Sequence, residues 1–91
     1  MANFTEIKVF GYGKEGVTIY KKYLENPYPL YINIDTIEHI SPIYEGNLNI
    51  TKDDGSTFKQ QTKYFIIHGV KYRYFSPESE FNKFVKEAET L

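Results

Sequence analysis

Between Lys63 and Phe75 the chain reads K-Y-F-I-I-H-G-V-K-Y-R-Y-F. Two arms of aromatic and β-branched residues around a glycine are the strongest hairpin signal in the sequence, and they commit this part of the chain to an antiparallel sheet. A two-residue turn at His68-Gly69 would set Ile67 opposite Val70, Phe65 opposite Tyr72 and Lys63 opposite Tyr74. Tyr64, Ile66, Lys71, Arg73 and Phe75 would then share the other side. Both sides carry large apolar groups, so the pair is expected at the centre of a sheet, with a helix on one face and loops or a partner on part of the other. His68 would occupy the turn as a residue tolerant of left-handed backbone.

The remaining punctuation extends the same pattern. Phe4 to Phe10 alternates as a strand, and Gly11-Tyr12-Gly13-Lys14-Glu15-Gly16 supplies glycines for a hairpin. Residues 17–24 suit a returning strand by composition and a short helix by the spacing of Val17, Tyr20 and Leu24; the β-branched residues favour the strand. Asn26-Pro27-Tyr28-Pro29 must be extended, because each proline fixes its own φ and restricts the residue before it. Strands are expected at Tyr31 to Ile34, at Glu38 to Tyr44 with an interruption at Pro42, and at Leu48 to Lys52, with turns at Asp35 to Ile37 and Glu45-Gly46-Asn47. Asp53-Asp54-Gly55-Ser56 turns the chain into Thr57 to Gln61.

The carboxyl end carries helix signals. Ser76 is a candidate N-cap, Pro77 suits the first helical position, and Glu78 and Glu80 favour a helix amino terminus. Phe81, Phe84, Val85 and Ala88 recur as one apolar stripe opposite Asn82, Lys83, Lys86, Glu87 and Glu89. Together these features predict a single α+β domain over residues 1–91: a bent, meandering antiparallel sheet of about five to seven strands with the Ser76 to Leu91 helix packed on it.

Composition then removes function classes. The chain has 91 residues, no cysteine and a formal net charge of −1, which excludes disulfide scaffolds, thiolate metal sites and cysteine nucleophiles and argues against a generic nucleic-acid binder. The amino terminus lacks the blocks of a secretory signal and no apolar run could span a bilayer, so a cytoplasmic protein without membrane contact is expected. Phe, Tyr, Met, Ile, Asn and Lys together far outnumber Gly, Ala, Arg and Pro. That bias follows AT-rich coding and points to a low-GC bacterium or its phage.

Few residues suggest catalysis. Gly11, Gly13 and Gly16 spell G-x-G-x-x-G, a phosphate-cradling pattern, but without the βαβ unit it requires. His39 and His68, the only histidines, have no partner at metal-ligand spacing. Serines 41, 56, 76 and 79 lie in turn or cap contexts, and Asp53 and Asp54 read as turn chemistry. No catalytic residue, cofactor or metal is expected.

Nine tyrosines are too many for a domain of this size to bury, and tyrosine is enriched at interfaces because it presents a rigid, amphipathic ring at low entropic cost. Tyr20, Tyr23, Tyr28 and Tyr31, on the stiff proline-bearing segment, are the candidate protein-binding residues. Lys63, Lys71 and Arg73, interleaved with Tyr72 and Tyr74, offer an alternative nucleic-acid or nucleotide surface in which cations and the Gly11, Gly13, Gly16 loop meet phosphates and rings stack on bases. The cadence of Asn33 to Glu38, Leu48 to Thr51 and Asp54-Gly55 is similar to that of LytTR-type DNA-binding domains and of small FlbD-type flagellar proteins, and this likeness carries no function or site with it. The expected function is non-enzymatic: an accessory or inhibitory factor that binds an unidentified protein, with an open sheet edge available for self-association. A small-molecule pocket between helix and sheet is a further alternative.

Overall fold

The computed structural model describes residues 3–89, with side chains as far as Val85. Its core element is the expected one, now longer: β7 (Thr57–Gly69) runs antiparallel to β8 (Arg73–Pro77) on one side, and to both β5 (Ile37–Ile40) and β6 (Tyr44–Thr51) on the other. β2 (Gly11–Gly13) extends the sheet beyond β8, and β3 (Ile19–Tyr20) pairs with β6 at the far edge. β1 (Phe4–Val9) and β4 (Tyr28–Asn33) form a separate two-stranded antiparallel ribbon. Two helices complete the fold, α1 (Lys21–Glu25) and α2 (Phe81–Glu89). The α+β class and the helix packed on a bent sheet are as the sequence predicts; the parallel β3 to β6 pairing makes the large sheet mixed rather than a pure meander.

The large sheet buries apolar groups on both faces. Phe65 and Ile67 of β7 point to one side, where Ile7, Val9 and Ile32 of the ribbon and Phe84 of α2 close over them. Phe81 meets the Phe65 ring edge-on, with centroids 5.0 Å apart. Leu48 and Ile50 of β6 point to the other side and pack with Phe10 and Ile19. Of the expected helical stripe, Phe84 is buried and Phe81 and Val85 are half-buried. The Ala88 side chain and the expected helix end at Leu91 lie outside the described residues.

Several local expectations are corrected. The chain reverses at Gly69 to Tyr72, closed by the Gly69 N–H donating to the Tyr72 carbonyl at 2.8 Å, so His68 is a strand residue opposite Arg73 and Ile67 faces Tyr74. No residue other than glycine has positive φ among those described, so His68 needs no left-handed backbone. The shift is even, and the division of side chains between the two faces therefore survives it. Ser76 is not an N-cap: it pairs with Phe65 inside β8, fully buried, because the strand and its burial continue past the local capping signal. Pro77 ends that strand, Glu78–Glu80 forms a 3-10 turn, and α2 starts only at Phe81. Glu80 accepts the Lys8 backbone N–H at 2.9 Å and so ties that turn to β1.

Gly11 to Gly16 is not a hairpin turn either, since Gly11-Tyr12-Gly13 is strand β2 paired with β8. The returning strand favoured over residues 17–24 is corrected: only Ile19–Tyr20 is strand, paired parallel with β6 rather than with β1, and Lys21–Glu25 forms the short helix of the other reading. Tyr28 and Pro29 belong to strand β4, where the ribbon's open edge tolerates a proline. Glu45-Gly46-Asn47 lies within β6 rather than in a turn. At Ser41-Pro42 the ladder is held by a side chain: Ser41 Oγ donates to the Pro42 carbonyl and accepts from Ile66 N–H, both at 2.8 Å. The turn at residues 52–56 is as expected. Gly55 takes a φ of +89°, and Asp54 Oδ1 accepts from both the Ser56 N–H and its hydroxyl.

The glycines of β2 are explained by the chain's own backbone. A Cβ on Gly11 would stand 2.8 Å from the Thr18 carbonyl oxygen, and one on Gly13 would collide with the Gly16 carbonyl oxygen. Gly13→Ala is therefore expected to cost about 1–3 kcal/mol, whereas Gly46→Ala, with nothing within 4 Å, should stay within about 0.5 kcal/mol of the parent. Denaturant unfolding of the two variants measures the contrast.

Candidate functional site

Tyrosines from five separate elements meet along the seam between the ribbon and the large sheet. Tyr12 on β2 is the junction. Its ring stacks on Tyr74 (centroids 5.7 Å apart, planes 23° apart) and meets Tyr72 edge-on at 5.7 Å. Alternation places Tyr12 and Tyr74 on one face because they are direct cross-strand partners. On the other flank Tyr23 of α1 packs edge-on against Tyr28 of β4 at 4.5 Å, and Tyr20 against Tyr23 at 6.2 Å. The Tyr28 hydroxyl is held above the ordinary phenol range by burial first, then by the phenols of Tyr12 and Tyr23. Tyr74 is shifted in the same direction by burial, Tyr72 and Tyr12. Both hydroxyls consequently stay protonated and able to donate at neutral pH and well above it.

Tyr31 stands apart from these ring contacts. It is 72% exposed, its hydroxyl donates to Glu6 Oε2 at 3.3 Å, and it borders a groove of about 380 Å³ whose opposite wall is Val70, Lys71, Tyr72 and Tyr74. The seam therefore joins the expected protein-binding tyrosines to the two tyrosines of the alternative set. Tyr12, at 45% exposure, is the member that sequence reasoning passed over. Its register against Tyr74 depends on Gly11-Tyr12-Gly13 being a strand, and the local sequence reads as a turn. Tyr44 and Tyr64 lie elsewhere, packed against each other at 5.6 Å.

The basic residues of the alternative set are dispersed. Lys63 Nζ lies 4.0 Å from Glu78. The Arg73 guanidinium donates to the Glu15 carbonyl at 2.8 Å, and Arg73 alternates with Tyr72 and Tyr74 along the chain. Lys71 alone borders the groove with the tyrosines. Two other lysines do approach the rings: Lys14 Nζ stands 5.8 Å from the Tyr72 centroid and Lys22 Nζ 5.1 Å from that of Tyr23.

No family model, curated protein or solved structure matches the chain. The functional reading accordingly rests on the geometry itself.

Away from the seam, His39 of β5 and His68 of β7 are cross-strand partners, stacked face to face with centroids 4.3 Å apart. No third metal-ligating residue joins them among those described. Burial, then the His39 ring and the Arg73 guanidinium, hold His68 below the ordinary histidine range, with Glu38 opposing. A depressed histidine pKa means that the unfolded chain binds the proton more readily. The stability contributed by neutral His68 is complete above the ordinary histidine pKa near 6.5 and is lost as pH falls below it. The melting temperature is expected to drop between about pH 7 and 5.5, a window above carboxylate titration, and His68→Gln should flatten that slope. An equally steep slope in the variant would contradict the assignment.

Proposed function

We propose that this chain is a non-enzymatic protein-binding factor, accessory or inhibitory, and that the tyrosine seam is its contact surface. The observation that supports this most is the grouping of all the tyrosines except Tyr44 and Tyr64 into two ring clusters, Tyr12 with Tyr72 and Tyr74 and Tyr20 with Tyr23 and Tyr28, with Tyr31 across a groove from Tyr72 and Tyr74. Interface energy concentrates in a few aromatic anchors that are rigid before binding. Tyr23, Tyr28, Tyr72 and Tyr74 are already half-buried against neighbours, while Tyr12, Tyr20 and Tyr31 are exposed. The half-buried rings thus form a fixed bed, and the exposed ones are the side chains with most area left to cover.

The nucleic-acid reading is the weaker one, because Lys63 and Arg73 already have partners within the chain. The two are separated by salt: binding to phosphates falls steeply as salt rises, and binding through rings does so far less. The outer edge of β6 from Tyr44 to Asn49, where no strand among the described residues pairs with it, is the place we propose for any self-association. No helix among the described residues is long and apolar enough to cross a membrane. We propose a cytoplasmic factor of a low-GC bacterium or its phage. Affinity capture from such a lysate, with nuclease and at high salt, tests the reading: one protein retained through both supports it, and recovery that vanishes with nuclease moves the assignment to nucleic acid.

A further inference from the structure

We propose that the partner lays an acidic polypeptide segment along the tyrosine seam, its carboxylates meeting Lys14, Lys22 and Lys71 while its apolar side chains cover the rings. The inference rests on the seam being the contact surface and adds the chemistry of what it contacts. Ion pairs among the described residues are confined to Lys21 with Glu25 and Lys63 with Glu78, so the amines of Lys14, Lys22 and Lys71 have no carboxylate within bridging distance there. Two of these amines lie over ring faces of the seam and the third borders the groove beside Tyr72 and Tyr74.

The acids of the surface are fewer at the groove than beside α1, where Lys22 shares a cavity with Lys21, Lys52, Glu25, Asp53 and Asp54. Glu6 accepts the Tyr31 hydroxyl and Glu25 is paired with Lys21. Asp35 borders the groove next to Thr36, which marks the Tyr31 end as the point where the segment's acidic character should stop. A chain of net charge −1 exerts no overall pull on an anion, so attraction must come from this local grouping. The protonated phenols of Tyr28 and Tyr74 add donors and no competing charge. Aromatic faces, phenolic donors and unpaired ammonium groups together complement carboxylates spaced between apolar side chains. A nucleic-acid backbone would instead call for a longer row of cations.

The test uses fluorescence anisotropy of the full chain with two labelled probes, a random glutamate–tyrosine copolymer and a single-stranded DNA oligonucleotide of equal charge. The copolymer is expected to bind. The triple variant Lys14→Ala, Lys22→Ala, Lys71→Ala should weaken it by about tenfold, from three partly exposed ion pairs, with the circular dichroism spectrum and melting temperature of the parent retained. Lys59→Ala, on exposed β7 outside the seam, should leave it unchanged. Copolymer binding undiminished in the triple variant, no copolymer binding, or tighter binding of the oligonucleotide would each overturn the proposal. If the copolymer fails but a captured partner is still lost on Tyr12→Ala, the acidic segment is wrong and the seam stands; if that partner is retained by Tyr12→Ala, the seam itself is wrong.

Discussion

Phe65→Ala is expected to destabilise the protein by about 3–5 kcal/mol, enough to leave it largely unfolded at physiological temperature. Phe65 is fully buried at the point where the ribbon, β7 and α2 converge, with Phe81 edge-on at 5.0 Å and Phe84 at 6.5 Å. Truncation would forfeit the transfer free energy of the ring and leave a cavity whose walls belong to three elements that cannot all move inward together. Phe65→Leu keeps most of the volume and should cost markedly less. Urea unfolding of both variants checks the order; equal losses would mean that the site collapses around the smaller side chain and that α2 is not anchored there.

Tyr12→Ala is expected to act on binding rather than on folding. The ring is 45% exposed and sits on short β2 beside the sheet's outer boundary, so its loss should cost about 1 kcal/mol of stability through the two ring contacts. At the seam its ring packs on Tyr72 and Tyr74, and its phenol is near enough to Tyr28 to help hold that hydroxyl above the ordinary range. Removing it takes an exposed ring from the surface, with an expected affinity loss of about 2 kcal/mol or more. Tyr28 is a poorer probe. It packs against the main core cluster, so Tyr28→Ala would mix loss of contact with loss of stability. Isothermal titration with a captured partner, beside thermal melts, separates the two effects for Tyr12.

What the sequence reveals, and what it hides, can be traced to particular residues. The central strand is legible because Tyr64 to Ile67 are β-branched or aromatic without interruption, a pattern few alternatives satisfy. The turn at Asp53 to Ser56 is legible because its chemistry is local: an Asx hydrogen bond and one glycine with positive φ. Ser76-Pro77 misleads because capping propensity is a local quantity of about 1 kcal/mol, and pairing with Phe65 in the buried ladder outweighs it. Gly11-Tyr12-Gly13 misleads for the converse reason. Those glycines answer the close approach of the backbone at residues 16–18, which is set by the path of the chain after β2 and not by glycine's turn propensity.

The proposed site is half legible on the same grounds. Tyr20, Tyr23, Tyr28 and Tyr31 stand out through one proline-bearing segment, and Tyr72 and Tyr74 through alternation in one strand arm. That the two groups share a surface depends on Tyr12 and on the packing of the ribbon across the sheet. The dispersal of Lys63 and Arg73 was equally hidden, since their partners Glu78 and the Glu15 carbonyl are set by the register of β8 and by the path of the chain after β2.

The most direct measurement is a paired affinity capture from a low-GC bacterial lysate, with nuclease present, using the parent chain and Tyr12→Ala as baits of equal, verified fold. The account predicts one protein held by the parent and lost or strongly depleted with the variant. The same protein held equally by both baits would contradict the claim that the tyrosine seam is where this chain binds.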